Sequence, residues 1–461
     1  MSEAKTLKRK RASEQDLTEG PILKQLLQFA LPLFLVQLVQ LMYNTVDVFI
    51  AGRFLDGPQP MAAVGASSMV VTLLIMFFNG MSVGSGVTVA HAYGSKDETR
   101  LSNAVHTAVA IALCGGLFVM VVGYLLSPTI LRWMNTPEDI FDLASSYIQI
   151  YFLGALSIVF YNMGVGVLRA MGDTRNPLYY QIIGGLLNVL MDVTFVVWLG
   201  LGVKGIAYAT LISQTVPALI VLAHLLRTEG PHRLTVSKIR FHKEAFLEIL
   251  KVGIPSAVQS IVITLSNVIV QSQINTFGTD TIAAFAVYFK VESIMYLPIL
   301  AYGQTATTFV GQNYGAGKPE RVYRGVHLSL AIGLTTSVVT SGICLLFARQ
   351  LFGIFTPDQT VIDIGMQFFY INAALYFLYN FIEVYSGAIR GSGNAVVPMT
   401  VVVLNMCVVR LAVLFFMVSH FHTVLTVGIC YPITWFGTGL CLTLYYYIAK
   451  VWQKAGKGPQ S

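Results

Sequence analysis

Long apolar stretches, each separated from the next by a short polar or Gly- and Pro-bearing turn, run along almost the whole chain. Twelve reach the roughly 20 helical residues that a hydrocarbon core requires. They lie near 24–51, 61–91, 103–127, 143–168, 177–199, 204–227, 246–276, 281–311, 323–348, 362–389, 397–419 and 424–450. One long polar interruption, Arg227 to Lys251, divides them six and six. It holds a Gly-Pro turn and then Phe241, Ala245, Phe246, Ile249 and Leu250 at the spacing of an amphipathic helix. The pattern predicts an all-α integral membrane protein of twelve transmembrane helices: a tail over 1–20, a six-helix lobe over 21–227, a linker over 228–245, a second six-helix lobe over 246–450 and a tail over 451–461.

The second half repeats the first. At an offset of 221 residues Tyr93, Gly94, Arg100, Val105 and His106 recur as Tyr314, Gly315, Arg321, Val326 and His327, and Arg169, Gly172 and Pro177 recur as Arg390, Gly393 and Pro398. Because each half has an even number of spans, both repeats enter from the same side. They are parallel repeats about a pseudo-two-fold axis along the membrane normal. A duplicated apolar module points to a transporter whose substrate path runs between two halves that rock against each other.

Composition adds the membrane and charge adds the orientation. Hydrophobic residues make up 55% of the chain and charged residues 11%, against roughly a quarter charged in soluble domains; the mean hydropathy is +0.68. A net charge of +7 could indicate nucleic-acid binding, but its distribution excludes that reading. Lys5, Lys8 to Arg11, Lys24, Lys96, Arg100, Arg169, Arg175, the central connector, Lys318, Arg321, Arg324, Arg390, Lys450, Lys454 and Lys457 fall on one side. Only Arg53, Arg132, Lys204 and Arg349 fall on the other. The crowded side is therefore cytoplasmic, with both termini inside. The basic run Lys8 to Arg11 reads as an orientation determinant or a lipid-facing tail. The expected location is the plasma membrane, the inner membrane in a bacterium. All five cysteines fall inside apolar spans without metal-like spacing and read as packing residues.

Four carboxylates lie well inside predicted spans: Asp47, Asp192, Glu292 and Glu383. Ionisable groups at that depth are costly and face a cavity or a partner. Gln37, Gln40, Asn44 and Asp47 follow spacings of three, four and three, and Gln181, Asn188 and Asp192 follow seven and four, so each set shares one helix face. Asp47 and Asp192 are thereby expected to line one polar chamber, with Tyr147, Tyr151 and Thr210 in its wall. A carboxylate removed from water favours its neutral form. Ionised it holds a cation and protonated it lets go, so protons and a cationic substrate compete. Na⁺, a hard cation suited to oxygen ligands, could use Asp47, Asp192 and Asn188 instead, and the residues leave H⁺ and Na⁺ open.

In the second half Gln259, Asn267 and Gln271 on the seventh span, Tyr376, Asn380 and Glu383 on the tenth, and Phe289, Glu292 and Met295 on the eighth are candidates for an opposing cavity wall. Aromatic and methionine side chains adapt to flat, greasy cations. Glu383 is alternatively expected to form a structural ion pair with Arg410 on the next span. The chain has no His-Glu-x-x-His, no Gly-Lys-Ser/Thr phosphate loop and no Gly-x-Ser-x-Gly turn, which argues against an enzyme and against ATP-driven pumping. A secondary gradient is left as the energy source, with no cofactor beyond the coupling ion.

Several motifs occur in order: Pro32 with Asn44-x-x-Asp47 and Ala51-Gly52, Arg169-Ala170-x-Gly172-Asp173-Thr174, Asn188-x-x-x-Asp192, Gln312-Asn313-Tyr314-Gly315-Ala316-Gly317 with Arg321, and Arg390-Gly391-x-Gly393. With them the chain resembles the multidrug and toxic compound extrusion family over essentially its whole length, and most closely the branch related to the DNA-damage-inducible F proteins. The resemblance implies a V-shaped bundle of two six-helix lobes working by alternating access, exporting amphipathic organic cations in exchange for H⁺ or Na⁺. It also implies that Asp47, Asp192, Asn188, Gln40, Tyr147 and Thr210 match the polar cluster of the N-terminal lobe. The branch with an acidic residue in span seven fits less well, since Ser256 to Phe277 contains none. The expected partners are small cationic molecules and the bilayer, with a monomeric protein and no nucleic acid. A lipid or lipid-linked oligosaccharide flippase is the alternative, but four acids against two bases at membrane depth, Lys290 and Arg410, favour a cationic cargo.

Overall fold

The computed structural model describes residues 15–55, 57–421 and 423–455; the basic residues Lys5, Lys8 to Arg11 and Lys457 lie outside the described residues. The predicted spans appear as helices α1 (Ile22–Phe54), α2 (Pro58–Gly94), α3 (Glu98–Trp133), α4 (Glu138–Leu153), α5 (Ala155–Ala170), α6 (Arg175–Asp192), α7 (Gly202–Arg227), α8 (Lys243–Asn275), α9 (Thr279–Gly315) and α10 (Pro319–Leu346). They continue as a short α11 (Ala348–Gly353), α12 (Gln359–Leu375), α13 (Leu378–Gly391), α14 (Val396–Val403), α15 (Arg410–Phe421) and α16 (Val424–Ile448). Among the described residues ten helical segments are long and apolar enough to cross a membrane, and twelve when each bent pair counts as one span. The bent pairs are α4 with α5, at 44°, and α12 with α13, at 54°. Two further spans contain a π-helical turn: Val193–Trp198 after α6, and Leu404–Val409 between α14 and α15.

The duplication is visible in the backbone. Left-handed residues recur at the offset of 221: Gly57 and Gly278, Lys96 and Gly317, Gly172 and Gly393. Each sits in a turn between spans, where a positive φ is what lets the chain reverse, so the repeat conserved the turns along with the helices. At Gly172 a Cβ would lie 2.1 Å from the Gln15 carbonyl oxygen, and only glycine leaves room for that approach.

The chain forms two compact units: Met1–Asp16 with Leu35–Ala257, and Leu17–Phe34 with Val258–Ser461. It passes from one to the other inside α1, two residues after Pro32, and inside α8, two residues after Pro255. In the second unit the leading turns of α1 bury Leu26, Phe29 and Leu33 beside Ala301 and Phe309. The segment before them is held by the Gln312 to Arg321 motif. Gln312 Oε1 accepts from the Leu17 backbone N at 2.9 Å, Lys318 Nζ donates to the Thr18 carbonyl at 2.9 Å, and Arg321 donates to the carbonyls of Leu17 and Gly20, both at 2.9 Å.

In the first unit the leading turns of α8 lie against α2 at backbone contact. A Cβ on Gly80 would come within 2.3 Å of Ala257, and one on Gly84 within 2.3 Å of the Ile249 carbonyl oxygen. Glycine pairs of this kind let helices approach where no hydrophobic force drives them together. Gly84→Leu is accordingly expected to destabilise the protein by about 3 kcal/mol or more, read as a lowered thermal midpoint in detergent; an unchanged midpoint would remove the close contact.

Candidate functional site

In the first unit the second half of α1 meets α6 where α6 has no side chains. A Cβ on Gly185 would sit 3.3 Å from the Tyr43 ring, and one on Gly184 2.9 Å from Pro217 of α7. The double glycine thus places α1, α6 and α7 side by side and brings Asp47 and Asp192 within side-chain hydrogen-bonding reach. Asp192 is completely buried and Asp47 half-buried. Asp192 is the last α-helical residue of its span, immediately before the π-turn. π-turns of this kind concentrate at functional positions.

Four acceptor oxygens in this cluster have no hydrogen-bond donor: Asp47 Oδ1, both Asp192 carboxylate oxygens and Asn188 Oδ1. Buried acceptors are almost always satisfied, and two ionised carboxylates cannot donate to each other. Contact between them requires a shared proton or a cation bridging the oxygens. Both ions fit this donor set: a proton needs one oxygen from each acid, and Na⁺ accepts carboxylate and amide oxygens together.

The surrounding wall is largely the one expected. Tyr147 lies within electrostatic range of both carboxylates and Tyr151 of Asp47, and both tyrosines are buried. Gln40, Gln181 and Gln214 are within side-chain hydrogen-bonding reach of Tyr43, and Gln181 Oε1 accepts from the Tyr161 hydroxyl at 2.8 Å. Thr210 donates its hydroxyl to the Ile206 carbonyl of its own helix at 3.0 Å, so that proton does not serve the acids. Gln37 is half-buried and Asn44 exposed on the same helix face. A cavity of about 10 Å³ opens between Tyr43, Tyr161, Gln181, Asn188, Ser213 and Gln214, room for about one water. Tyr43 and Tyr161 are additions to the wall that the spacing of the acids does not reveal. A signal exists for Tyr43, which stands three residues after Gln40 and four before Asp47, on the polar face itself.

In the second unit the carboxylates are dispersed. Glu292, half-buried, accepts from the Tyr376 hydroxyl at 3.1 Å, and Tyr288 beside it receives the Asn372 amide at 3.0 Å. The expected Glu383 to Arg410 pair is not formed. Glu383 instead lies 3.9 Å from Arg390, seven residues on along the same helix, in space that Gly303 leaves open. Arg410, 2% exposed, stacks on the Tyr431 ring at 4.6 Å and donates to Asn267 and Thr434, both at 3.4 Å. Arg410 directly follows the π-turn, and its partners Tyr431 and Thr434 lie on α16.

Met295 and Asn380, expected in a cavity wall, are packed inside the unit. Met295 receives the Ser341 hydroxyl at 3.3 Å, and Asn380 donates to Ser337 at 2.6 Å. Gln271 is half-buried and donates to Asn275 at 3.1 Å, Phe289 is partly exposed with its ring edge-on to Phe285 at 4.9 Å, and Gln259 is buried with an unpartnered Oε1.

A duplicated set of membrane-length helices, with donorless acids buried in one of its two units, is the construction of a multi-span membrane transporter. The MatE family profile matches residues 32–194 and 255–416, once in each repeat, and the chain belongs to the MatE family. Its relatives include the "probable multidrug resistance protein YoeA" of Bacillus subtilis, 28% identical over 92% of this chain and 93% of that protein. The "probable multidrug resistance protein NorM" of Thermotoga maritima is 26% identical over 94% of each. Among solved structures, a MATE protein in complex with MaL6 superposes with a TM-score of 0.90 at 23% identity, covering 95% of this chain and 99% of its own. A MOP superfamily transporter from Pyrococcus furiosus gives 0.86 at 23%, over 96% and 98%. Members of the family are transporters and not enzymes.

Proposed function

We propose that this protein is a secondary active multidrug efflux transporter that exports amphipathic organic cations by alternating access in antiport with H⁺, Na⁺ being the second choice for the coupling ion. The observation that carries the reading is the set of four donorless oxygens on Asp47, Asp192 and Asn188. One proton shared by the acid pair satisfies two of these four oxygens and removes one negative charge from the cluster. With none it is a strong acceptor for a cation. The names of the relatives support multidrug export. The positive-inside distribution supports both termini being cytoplasmic, in a protein that acts in the plasma membrane as a monomer under this proposal.

A flippase for pyrophosphate-linked lipids is disfavoured because the bases at membrane depth are engaged or turned away. Arg410 is committed to Tyr431, Thr434 and Asn267, while Lys290 is exposed over the Phe355 ring at 5.4 Å. In proteoliposomes loaded with a fluorescent organic cation, an imposed pH gradient without Na⁺ is expected to drive transport, and a Na⁺ gradient at equal pH to drive little. Transport driven by Na⁺ alone would reassign the coupling ion, and transport driven by neither would remove the antiport reading.

A further inference from the structure

The repeated histidines, His106 and His327, play no part in the acid cluster, and their surroundings differ in one decisive respect. Each places Nδ1 2.7 Å from the backbone carbonyl four residues earlier, Ser102 for His106 and Tyr323 for His327. A carbonyl only accepts, so in both residues Nδ1 carries the hydrogen. In the first unit the other ring nitrogen, Nε2, receives the backbone N–H of Thr235 at 3.0 Å. A backbone amide only donates, so Nε2 of His106 must be bare and the ring neutral. In the second unit Nε2 of His327 meets the Tyr447 hydroxyl at 2.6 Å, and a hydroxyl can donate or accept. His327 keeps its partner in either protonation state. His106 does not.

Thr235 belongs to the central connector, and His106 and Thr107 are neighbouring residues of α3 that bond to it. The backbone N of His242 donates to Thr107 Oγ1 at 3.1 Å, and the Thr107 hydroxyl points to the Arg240 carbonyl at 3.5 Å. Helix α8 starts one residue after His242. His106 is 1% exposed, and its hydrogen-bond partners are Ser102 and Thr235, with no acid among them. The charged and titratable groups around this corner offer a protonated ring little compensation. Glu248 is paired with Arg100 at 2.8 Å, and Asp97 caps α3 through the Arg100 backbone N at 2.9 Å. From the connector come Arg240, whose Nε donates to His242 Nε2 at 3.4 Å, and His232. Burial, then Arg240 and His106, lower the pKa of His242 below the ordinary histidine value, so it does not supply a counter-charge.

We infer that His106 is a proton-binding latch for the central connector: neutral, it holds the connector at Thr235 on α3; protonated, it turns its acceptor into a second donor and releases that point, leaving the Thr107 contacts as the remaining hold. The mechanism goes beyond the antiport reading and is independent of the coupling ion. In the proposed orientation the latch faces the cytoplasm, so acidification of that side loosens the connector that leads into α8.

The test is hydrogen exchange on the full-length protein in nanodiscs, measured as protection factors for the peptide spanning residues 228–245 between about pH 8 and about pH 5.5. Wild-type protection is expected to fall about tenfold beyond the intrinsic pH effect, the scale of one lost buried hydrogen bond. His106→Gln, which can accept from Thr235 at every pH, is expected to remain flat, His106→Ala to be unprotected throughout, and His327→Gln to behave as wild type. Identical pH traces for wild type and His106→Gln would overturn the latch. A second measurement needs no variant: ¹⁵N imidazole NMR of the wild type should show the Nδ1–H tautomer at high pH, and an Nε2–H tautomer would also overturn it.

Discussion

Asp192→Asn is expected to abolish pH-driven export, lowering its initial rate by 30-fold or more, the scale of about 2 to 5 kcal/mol for truncating a buried charge partner. The Asn side chain removes one of the two exchangeable carboxylates and adds an amide donor, which satisfies an Asp47 oxygen permanently. The cluster then never presents its donorless state. Asp47→Asn is expected to fail in the same way, and the double variant to be scarcely worse than either single one, since groups that act as a unit are non-additive. Uptake of a fluorescent cation into proteoliposomes under an imposed pH gradient, with expression and monodispersity as controls, decides the matter. Wild-type rates in both single variants would sink the assignment of coupling to this pair.

Arg410→Met should be the most disruptive change in the second unit, at about 3 kcal/mol or more of lost stability. Arg410 lies within electrostatic range of Glu292, and no carboxylate sits within ion-pair distance of it among the described residues. Removing it leaves Glu292 without the Arg410 charge that acts on it, and takes a donor from Asn267 and from Thr434. Pairing the change with Glu292→Gln should recover part of the loss, because neutralising both of two interacting buried charges is less costly than removing one and leaving the other uncompensated. Thermal unfolding of the two single variants and the double one forms the cycle. Strictly additive effects would show that the two residues do not communicate. Transport by the double variant then shows whether Glu292 also contributes to function.

The fold was largely open to reading. Apolar length set the spans within a few residues, from 24–51 against Ile22–Phe54 to 424–450 against Val424–Ile448, because a bilayer demands a fixed stretch of apolar helix. Asp47, Asn188 and Asp192 stand out because acids at membrane depth are rare and helical spacing reports which residues share a face. Arg410 shows where that method stops. The rule that buried charges pair leads from it to Glu383 on the neighbouring span, whereas in the structure it stacks on Tyr431. Met295 and Asn380 show a second limit: an apolar or amide residue at helical spacing can serve a wall or a core, and only its neighbours distinguish them.

By itself the sequence determined the membrane, the number of spans, the parallel duplication, the family and the acids of the first unit, all of which rest on local composition, period and recurrence. The tertiary structure alone decided which carboxylates meet and which stay apart. It also decided that α1 and α8 each pass from one unit into the other, and that of two identical histidines only His106 has a partner that can do nothing but donate. These outcomes depend on ångström-scale approaches between residues distant in the chain, set by glycines that admit a neighbouring helix and by π-turns that interrupt the α-helical register. A linear pattern carries no information on either until the helices are packed.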